Sequence, residues 1–345
     1  MAELLLQYLL FLAKTITLSM AILIVVIVIL VFSAKQKSML KTKSGKLVIE
    51  NLSDKIKEQL DEVKSTIYDK KQLKLLLKQE AKASKNKKSK KSEKLNLESA
   101  KPRLFIIEFD GDIKASAVKD LQHALNAVLP IINKKQDEIL IKLDSGGGMV
   151  HAYGLAASQL DRVKQHGVKL IVTVDKIAAS GGYMMACVAD TIVAAPFAII
   201  GSIGVIGQLP NFHKLLEKHN IEFEQHTAGE FKRTLTMFGK NDKKARDKFQ
   251  DELELTHDLF KKYIANRRQD LDIENVATGE HWYGQIALEK KLVDKISTSD
   301  DIILDYYKTH ELYELKYEHK KSFAEKMASG MQSLINILKN NIANA

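Results

Sequence analysis

Ser180 is the residue whose surroundings point most directly to chemistry. It stands in KIAASGGYMMACVAD, Lys176 to Asp190, ahead of two glycines and a wholly apolar run. Such a run reads as a buried helix. A helix N-terminus leaves backbone N–H groups unpaired and carries partial positive charge. Acyl transfer uses that feature, because the tetrahedral intermediate develops an oxyanion that backbone N–H donors stabilise. Glycine beside the serine lets the backbone approach a substrate closely. A serine here can equally be a plain helix cap.

A second glycine cluster, LDSGGGMV at Leu143 to Val150, also follows a predicted strand and precedes a predicted helix. Neighbouring parallel strands bring such turns to one edge of a sheet, where ligands bind in α/β folds. Gly147 can then supply a second oxyanion donor. Neither GxxxxGK[ST] nor GxGxxG with a following acid occurs, so the signal for a phosphate loop is weak.

A serine nucleophile needs a base. His151 directly follows the glycine turn, whereas His213, His219 and His226 fall in a more polar region. A lysine serves as well when desolvation makes it neutral. Lys232 lies beside Phe231 in HTAGEFKRTLTMFG, after the predicted strand IEFEQHTAG. On residue types alone both bases remain open.

These residues must be positioned by a folded core, and the chain from about Arg103 supplies one. RLFIIEF, EILIKL, VKLIVTV and DTIVAAP read as strands, and VKDLQHALNAVL and VHAYGLAASQLDRVKQ as helices. The alternation predicts an α/β fold with parallel strands covered on both faces. Tyr183 to Ile206 is apolar enough to suggest a membrane span. Asp190, Pro196 and its glycines favour buried strands instead. Asn241 to Arg268 is predicted as a long charged helix that buries Phe249, Leu253, Leu259, Phe260 and Ile264.

Upstream, Thr15 to Ala34 is twenty residues without a charge, enough helix to cross a hydrocarbon layer about 30 Å thick. It is too long for a cleaved signal and predicts an anchor. Lys35, Lys37, Lys41, Lys43 and Lys46 follow it, which places the C-terminal bulk in the cytoplasm by the positive-inside rule. Leu52, Ile56, Leu60, Val63 and Ile67 have helical spacing. The lysine- and serine-rich Lys82 to Lys94 reads as a disordered linker able to touch anionic headgroups.

The chain carries a net charge of +10. Residues 35–101 hold 20 lysines against 9 acidic residues, so the remainder is close to neutral. That distribution argues against a folded nucleic-acid-binding face. The single cysteine, Cys187, excludes a disulfide framework or cysteine zinc cluster and reads as core packing. The predicted organisation is an anchor over 1–34, a basic helix and linker over 35–101, a catalytic domain over 102–308 and an amphipathic segment over 309–345.

DSGGG, AASGGYMMACVAD, IIGSIGV, AGEFKR and GEHWYGQIALEKKLVD resemble, in order, the blocks of the protease IV or signal peptide peptidase family. The anchor and lysine-rich extension resemble its SohB branch. The resemblance implies a crotonase/ClpP-like parallel-sheet domain with peripheral helices and a Ser–Lys dyad. Ser180 matches the nucleophile and Lys232 the base, in a block reading GEFK where the family has a GKYK-like pattern. Gly147 and Gly181 match the oxyanion donors, and Ser202 is placed to position the lysine. Gly146 stands where the family usually has proline.

The resemblance further implies a homo-oligomeric ring, with dyads completed between subunits or at subunit edges. It implies peptide or protein substrates at the bacterial inner membrane, and no metal, nucleotide or other cofactor. The competing readings are a crotonase-type acyl-CoA enzyme and a non-catalytic membrane scaffold of the same fold.

Overall fold

The computed structural model describes residues 6–20, 22, 45–76, 78 and 101–319. The chain divides into two compact units, residues 1–48 with 317–345 and residues 49–316. In the first, residues 6–20 are helical. Most of the predicted span 15–34 lies outside the described residues, as do the predicted linker 82–94 and the apolar periodicity after residue 320. Among the described residues no helix is long and apolar enough to cross a membrane.

The second unit is built on a sheet whose strands are apolar on both faces. They follow β1 (Gly45–Asn51) in the chain and are β2 (Arg103–Gly111), β3 (Glu138–Ser145), β4 (Lys169–Val174), β6 (Thr191–Ala194) and β9 (Lys295–Ile296). All four pairings along this path are parallel. Near-continuous burial along β2, β3 and β4 follows, since parallel strands are covered on both sides. On one face Leu104, Ile106, Leu140, Ile171 and Val193 form a cluster with Ile302 and Ile303 of the helix Ser299–Tyr307. The helices Val118–Val128 and Val150–Gln165 bury Leu121, Leu125, Leu160 and Val163.

Three short strands branch from the C-terminal end of β3. They are β5 (Ile177–Ala179), β7 (Ile199–Gly201) and β8 (His281–Tyr283). Ser145 pairs with Ala178, and β5 pairs in parallel with β7. This extension carries the end of β5, and hence Ser180, to the glycine turn that follows β3.

The apolar run 183–206 forms no span, as its aspartate, proline and glycines predict: it resolves into the end of the helix Gly181–Ala186, then β6 and β7. Two other expectations change. The predicted strand over 221–229 is irregular chain, with Ile221 55% and Phe223 43% exposed. Residues 311–319, placed by sequence in an amphipathic tail, form β10 (Glu311–His319), which pairs in parallel with β2. Its alternating charges, ELYELKYEH, hide a strand that buries Leu312 and Leu315.

Two helices bury less than their periodicity suggests. In Leu52–Ile67 only Leu52 and Ile56 pack on the core cluster, while Leu60, Val63 and Ile67 are exposed. Ser53 fastens this helix by accepting the Leu312 N–H at 2.9 Å. In Lys243–Ala265 Phe260 and Ile264 are buried, whereas Leu259 is 60% exposed.

Candidate active site

β5 ends at Ala179, and Ser180 begins a buried helix, Gly181–Ala186. Its φ is +52° and ψ −119°, a region costly for a residue with a side chain and typical of functional strain. Two backbone bonds hold it there. The Ser180 N–H donates to the Gly201 carbonyl at 2.8 Å, and the Ser180 carbonyl accepts from the Met184 N–H at 3.0 Å. The Ser180 side chain makes no capping hydrogen bond. The cap reading of this serine is therefore not the one adopted, and its hydroxyl is left available at the head of the helix.

The turn after β3 is pressed against this serine. Gly147 has φ +86°, and a Cβ there would lie 2.7 Å from both the Gly181 nitrogen and the Ser180 Cβ. A Cβ on Gly182 would meet the Ser145 carbonyl oxygen at 2.4 Å. The two clusters read from sequence are thus brought together as one surface, and close approach is why both are glycine.

A chain of hydrogen bonds pins the turn. Tyr153 donates to the Asp112 carbonyl at 2.8 Å. Ser145 Oγ lies 2.6 Å from the Tyr153 hydroxyl, whose only proton is so engaged, and Ser145 is therefore the donor. Burial pushes the Tyr153 phenol up, which keeps it protonated. Ser145 Oγ in turn accepts from the Gly147 N–H at 3.2 Å, near the long limit for such a bond. Gly148, the third glycine of the turn, lines the cavity beside Ser180 and Gly181. The sequence reading passed over it, although its place in the same GGG run was the available signal.

The cavity has a volume of about 350 Å³. Val150, Gly154 and Ser158 form one wall and Thr256, Leu259, Phe260 and Tyr263 the other. The other predicted residues are not gathered here. Lys232 is exposed and lines a separate cavity with Leu209, Phe223 and Phe238. Its segment is tied to the long helix by the pair Glu230–Lys244 at 2.6 Å, and Lys244 and Lys248 sit over the Phe231 ring. His151 is exposed and lines neither cavity.

Ser202, with φ +49°, donates its N–H to the Glu280 carbonyl at 2.7 Å. It follows Gly201, the residue that holds the Ser180 backbone. Cys187 is 1% exposed, and burial pushes its thiol up to about 12, so it offers no competing nucleophile.

The comparisons with known proteins bear on the same segments. The model for the peptidase family S49 N-terminal region matches residues 3–160, and that for peptidase family S49 matches residues 162–312. A probable protease SohB of Buchnera aphidicola subsp. Acyrthosiphon pisum is 57% identical over 69% of this chain and 70% of its own length. A probable protease SohB of Haemophilus influenzae is 48% identical over 86% of each chain. Protease 4 of the same organism is more distant, 24% identical over 58% of this chain and 34% of its own. Among solved structures, a membrane protease of Pyrococcus horikoshii specific for a stomatin homolog aligns at 14% identity with a TM-score of 0.39, over 68% of this chain and all of its own.

The family matches and the SohB and protease 4 relatives define a serine protease. The chain belongs to peptidase family S49, with SohB proteins nearer to it than protease 4.

Proposed function

We propose that the chain is a membrane-anchored serine endopeptidase in which Ser180 attacks a peptide carbonyl and Lys232 of a second copy is the general base. The observation that carries this reading is the geometry of Ser180. Its hydroxyl is uncommitted, its backbone is strained, and it faces a cavity between a helix N-terminus and a glycine turn. The exposure of Lys232 within its own chain is the reason to look to a neighbour. Around Lys232, Leu209, Phe223 and Phe238 form an exposed apolar surface suited to contact with another copy.

In this mechanism the neutral lysine takes the Ser180 proton as Oγ bonds to the carbonyl carbon. The oxyanion is held by the Gly181 N–H and by the 147–148 turn, whose Gly147 N–H is only loosely engaged by Ser145. Collapse breaks the C–N bond, the lysine returns its proton to the departing amine, and water hydrolyses the acyl-enzyme. Ser202 is assigned to orienting the incoming lysine. The uncharged run 15–34 and the lysines after it support an anchor. An anchor in turn points to membrane-associated peptides, such as signal-peptide remnants, as substrates.

The test is a fluorophosphonate probe on the detergent-solubilised full chain. Labelling lost in Ser180→Ala supports the nucleophile. Labelling and peptide hydrolysis that persist unchanged in Ser180→Ala would falsify it.

A further inference from the structure

We infer that the cavity at the C-terminal ends of β2, β3 and β4, on the sheet face that carries the helix Ser299–Tyr307, binds a primary ammonium group on an aliphatic chain, held by Thr173, Asp110 and Asp144. This cavity shares no lining residue with the one beside Ser180. Its ligand is therefore independent of the chemistry at the serine.

The sheet register builds the site. Glu108, Lys142 and Thr173 are partners across β2, β3 and β4, and Asp110 is the partner of Asp144 two residues further along. Residues two apart point to the same face of a strand. This is the face of Ile106, Leu140 and Ile171, which the helix Ser299–Tyr307 covers through Ile302 and Ile303. The helix begins at Asp175. The Ser299 N–H donates to one oxygen of that carboxylate at 2.8 Å, and the Ser299 hydroxyl donates to the other. The strand ends, with Asp175 and Lys176, then line a cavity of about 230 Å³.

Thr173 points to a ligand. It is 1% exposed, yet among the described residues its Oγ1 has no hydrogen-bond partner. A buried hydroxyl left unpaired is costly. Valine has the same shape and suits a strand equally well. The hydroxyl lies on the cavity face of β4, in one row with Glu108 and Lys142.

The carboxylates say which ligand. Asp110 and Asp144 stand side by side on strands about 4.8 Å apart, where like charges repel. Asp110 makes no hydrogen bond or ion pair among the described residues. Asp144 pairs with Lys176 at 3.1 Å, but that lysine is 80% exposed, so the pair is a surface contact of little worth. Lys142 engages one oxygen of Glu108 at 3.0 Å and leaves the second open. Four carboxylates thus face two lysines, and acceptors exceed donors. An ammonium supplies three N–H donors and a positive charge to such a set. A directly ligated metal suits it less well. No group of three carboxylate, histidine or cysteine side chains among the described residues is arranged to hold one. The volume falls below the ~300 Å³ at which clefts for drug-sized ligands begin, so the group is small. Asp144 leads into the Gly147 turn and Lys176 into β5 and Ser180. A cation held here ties together the two segments that meet at the serine.

The experiment is titration calorimetry on the full chain in detergent at low salt, with 1,4-diaminobutane as the probe. Saturable binding is expected, with a melting temperature that rises with probe concentration. Thr173→Val should weaken binding by about tenfold, the factor carried by one hydrogen bond to a charged group. Without the amine, its melting temperature should equal or exceed that of the wild type, since its hydroxyl has no partner to lose. Asp110→Asn, at an exposed position, should weaken binding by a similar factor and guards against a misfolded Thr173 variant. Tetramethylammonium, a cation without N–H donors, should not compete. Nα-acetyl-lysine methylamide separates the two sources of the group. Tighter binding than the diamine assigns the site to a lysine side chain of a peptide, and weaker binding assigns it to a free amine. No saturable binding up to about 10 mM, unchanged binding in both variants, or displacement by tetramethylammonium overturns the site. Calcium bound in preference to the diamine, and lost in Asp110→Asn, overturns its chemistry in favour of a metal.

Discussion

Replacing Gly147 by alanine probes the contact on which the site is built. The alanine would hold φ +86°, which costs an L-residue about 1–2 kcal/mol. Its methyl would also lie 2.7 Å from the Ser180 Cβ, 2.7 Å from the Gly181 nitrogen and 2.8 Å from the Ala179 carbonyl oxygen. Overpacking of that kind adds about 1–3 kcal/mol. At ~2–4 °C per kcal/mol for a domain of this size, the combined cost of about 2–5 kcal/mol lowers Tm by roughly 5–20 °C. Gly167→Ala is the matched control. It has φ +72° with nothing within 4 Å of the added carbon, so it carries only the backbone strain, about 1–2 kcal/mol.

The assay is a thermal melt together with the rate of fluorophosphonate labelling, measured well below either melting point. Relief of the clash by moving Ser180 some tenths of an ångström to 1 Å slows labelling by up to about 100-fold in Gly147→Ala. Gly167→Ala labels at the wild-type rate. Equal melting shifts in the two variants, with labelling unaffected in both, would refute the packing of the glycine turn on the serine.

Further outcomes follow from particular residues. Cys187 should resist thiol reagents in the native protein and react fully once denatured, because its thiol is buried and raised to about 12; rapid native labelling contradicts its place in the core. His310 has its pKa lowered mainly by burial, with Lys101 and Lys169 adding and Glu138 opposing. The unfolded chain then binds the proton more readily, so stability falls as pH drops below about 6.5 towards the folded value. His310→Gln should flatten that slope in melts between about pH 7 and 5. Asp137 is 1% exposed and accepts the Arg103 backbone N–H at 2.9 Å and its side chain at 3.0 and 2.5 Å. Arg103→Met removes the cation and leaves this buried carboxylate only the backbone N–H donors of residues 103 and 133, so it should cost near the low end of ~3–5 kcal/mol in denaturant unfolding, the arginine being itself about one-third exposed.

The legible part of this molecule is its long-range apolar pattern. β2, β3, β4 and β6 and the helices Val118–Val128 and Val150–Gln165 follow from runs whose burial needs no knowledge of neighbours. Ser180 and Gly147 were legible as strand-to-helix turns, because serine and glycine favour such joints, whether as cap and tight turn or as site. What escaped is structure defined by a partner. β5, β7 and β8 are three residues each and exist by pairing in turn, β5 with the end of β3, β7 with β5 and β8 with β7. β10 is charged along its length and becomes a strand by pairing with β2. Leu259 fits the helical stripe by spacing yet faces the Ser180 cavity, since the stripe is broader than the core it meets. Lys232 was legible as a residue type and not as a location.

The claim that the dyad forms between copies is tested most directly by mixing. Chains carrying Ser180→Ala and chains carrying Lys232→Ala, each inactive alone, are co-expressed and purified together through different tags. With random head-to-tail assembly, one site in about four pairs an intact serine with a neighbour's intact lysine. The account predicts recovery of roughly a quarter of wild-type peptide hydrolysis. A stable mixed assembly that remains as inactive as its parents contradicts it.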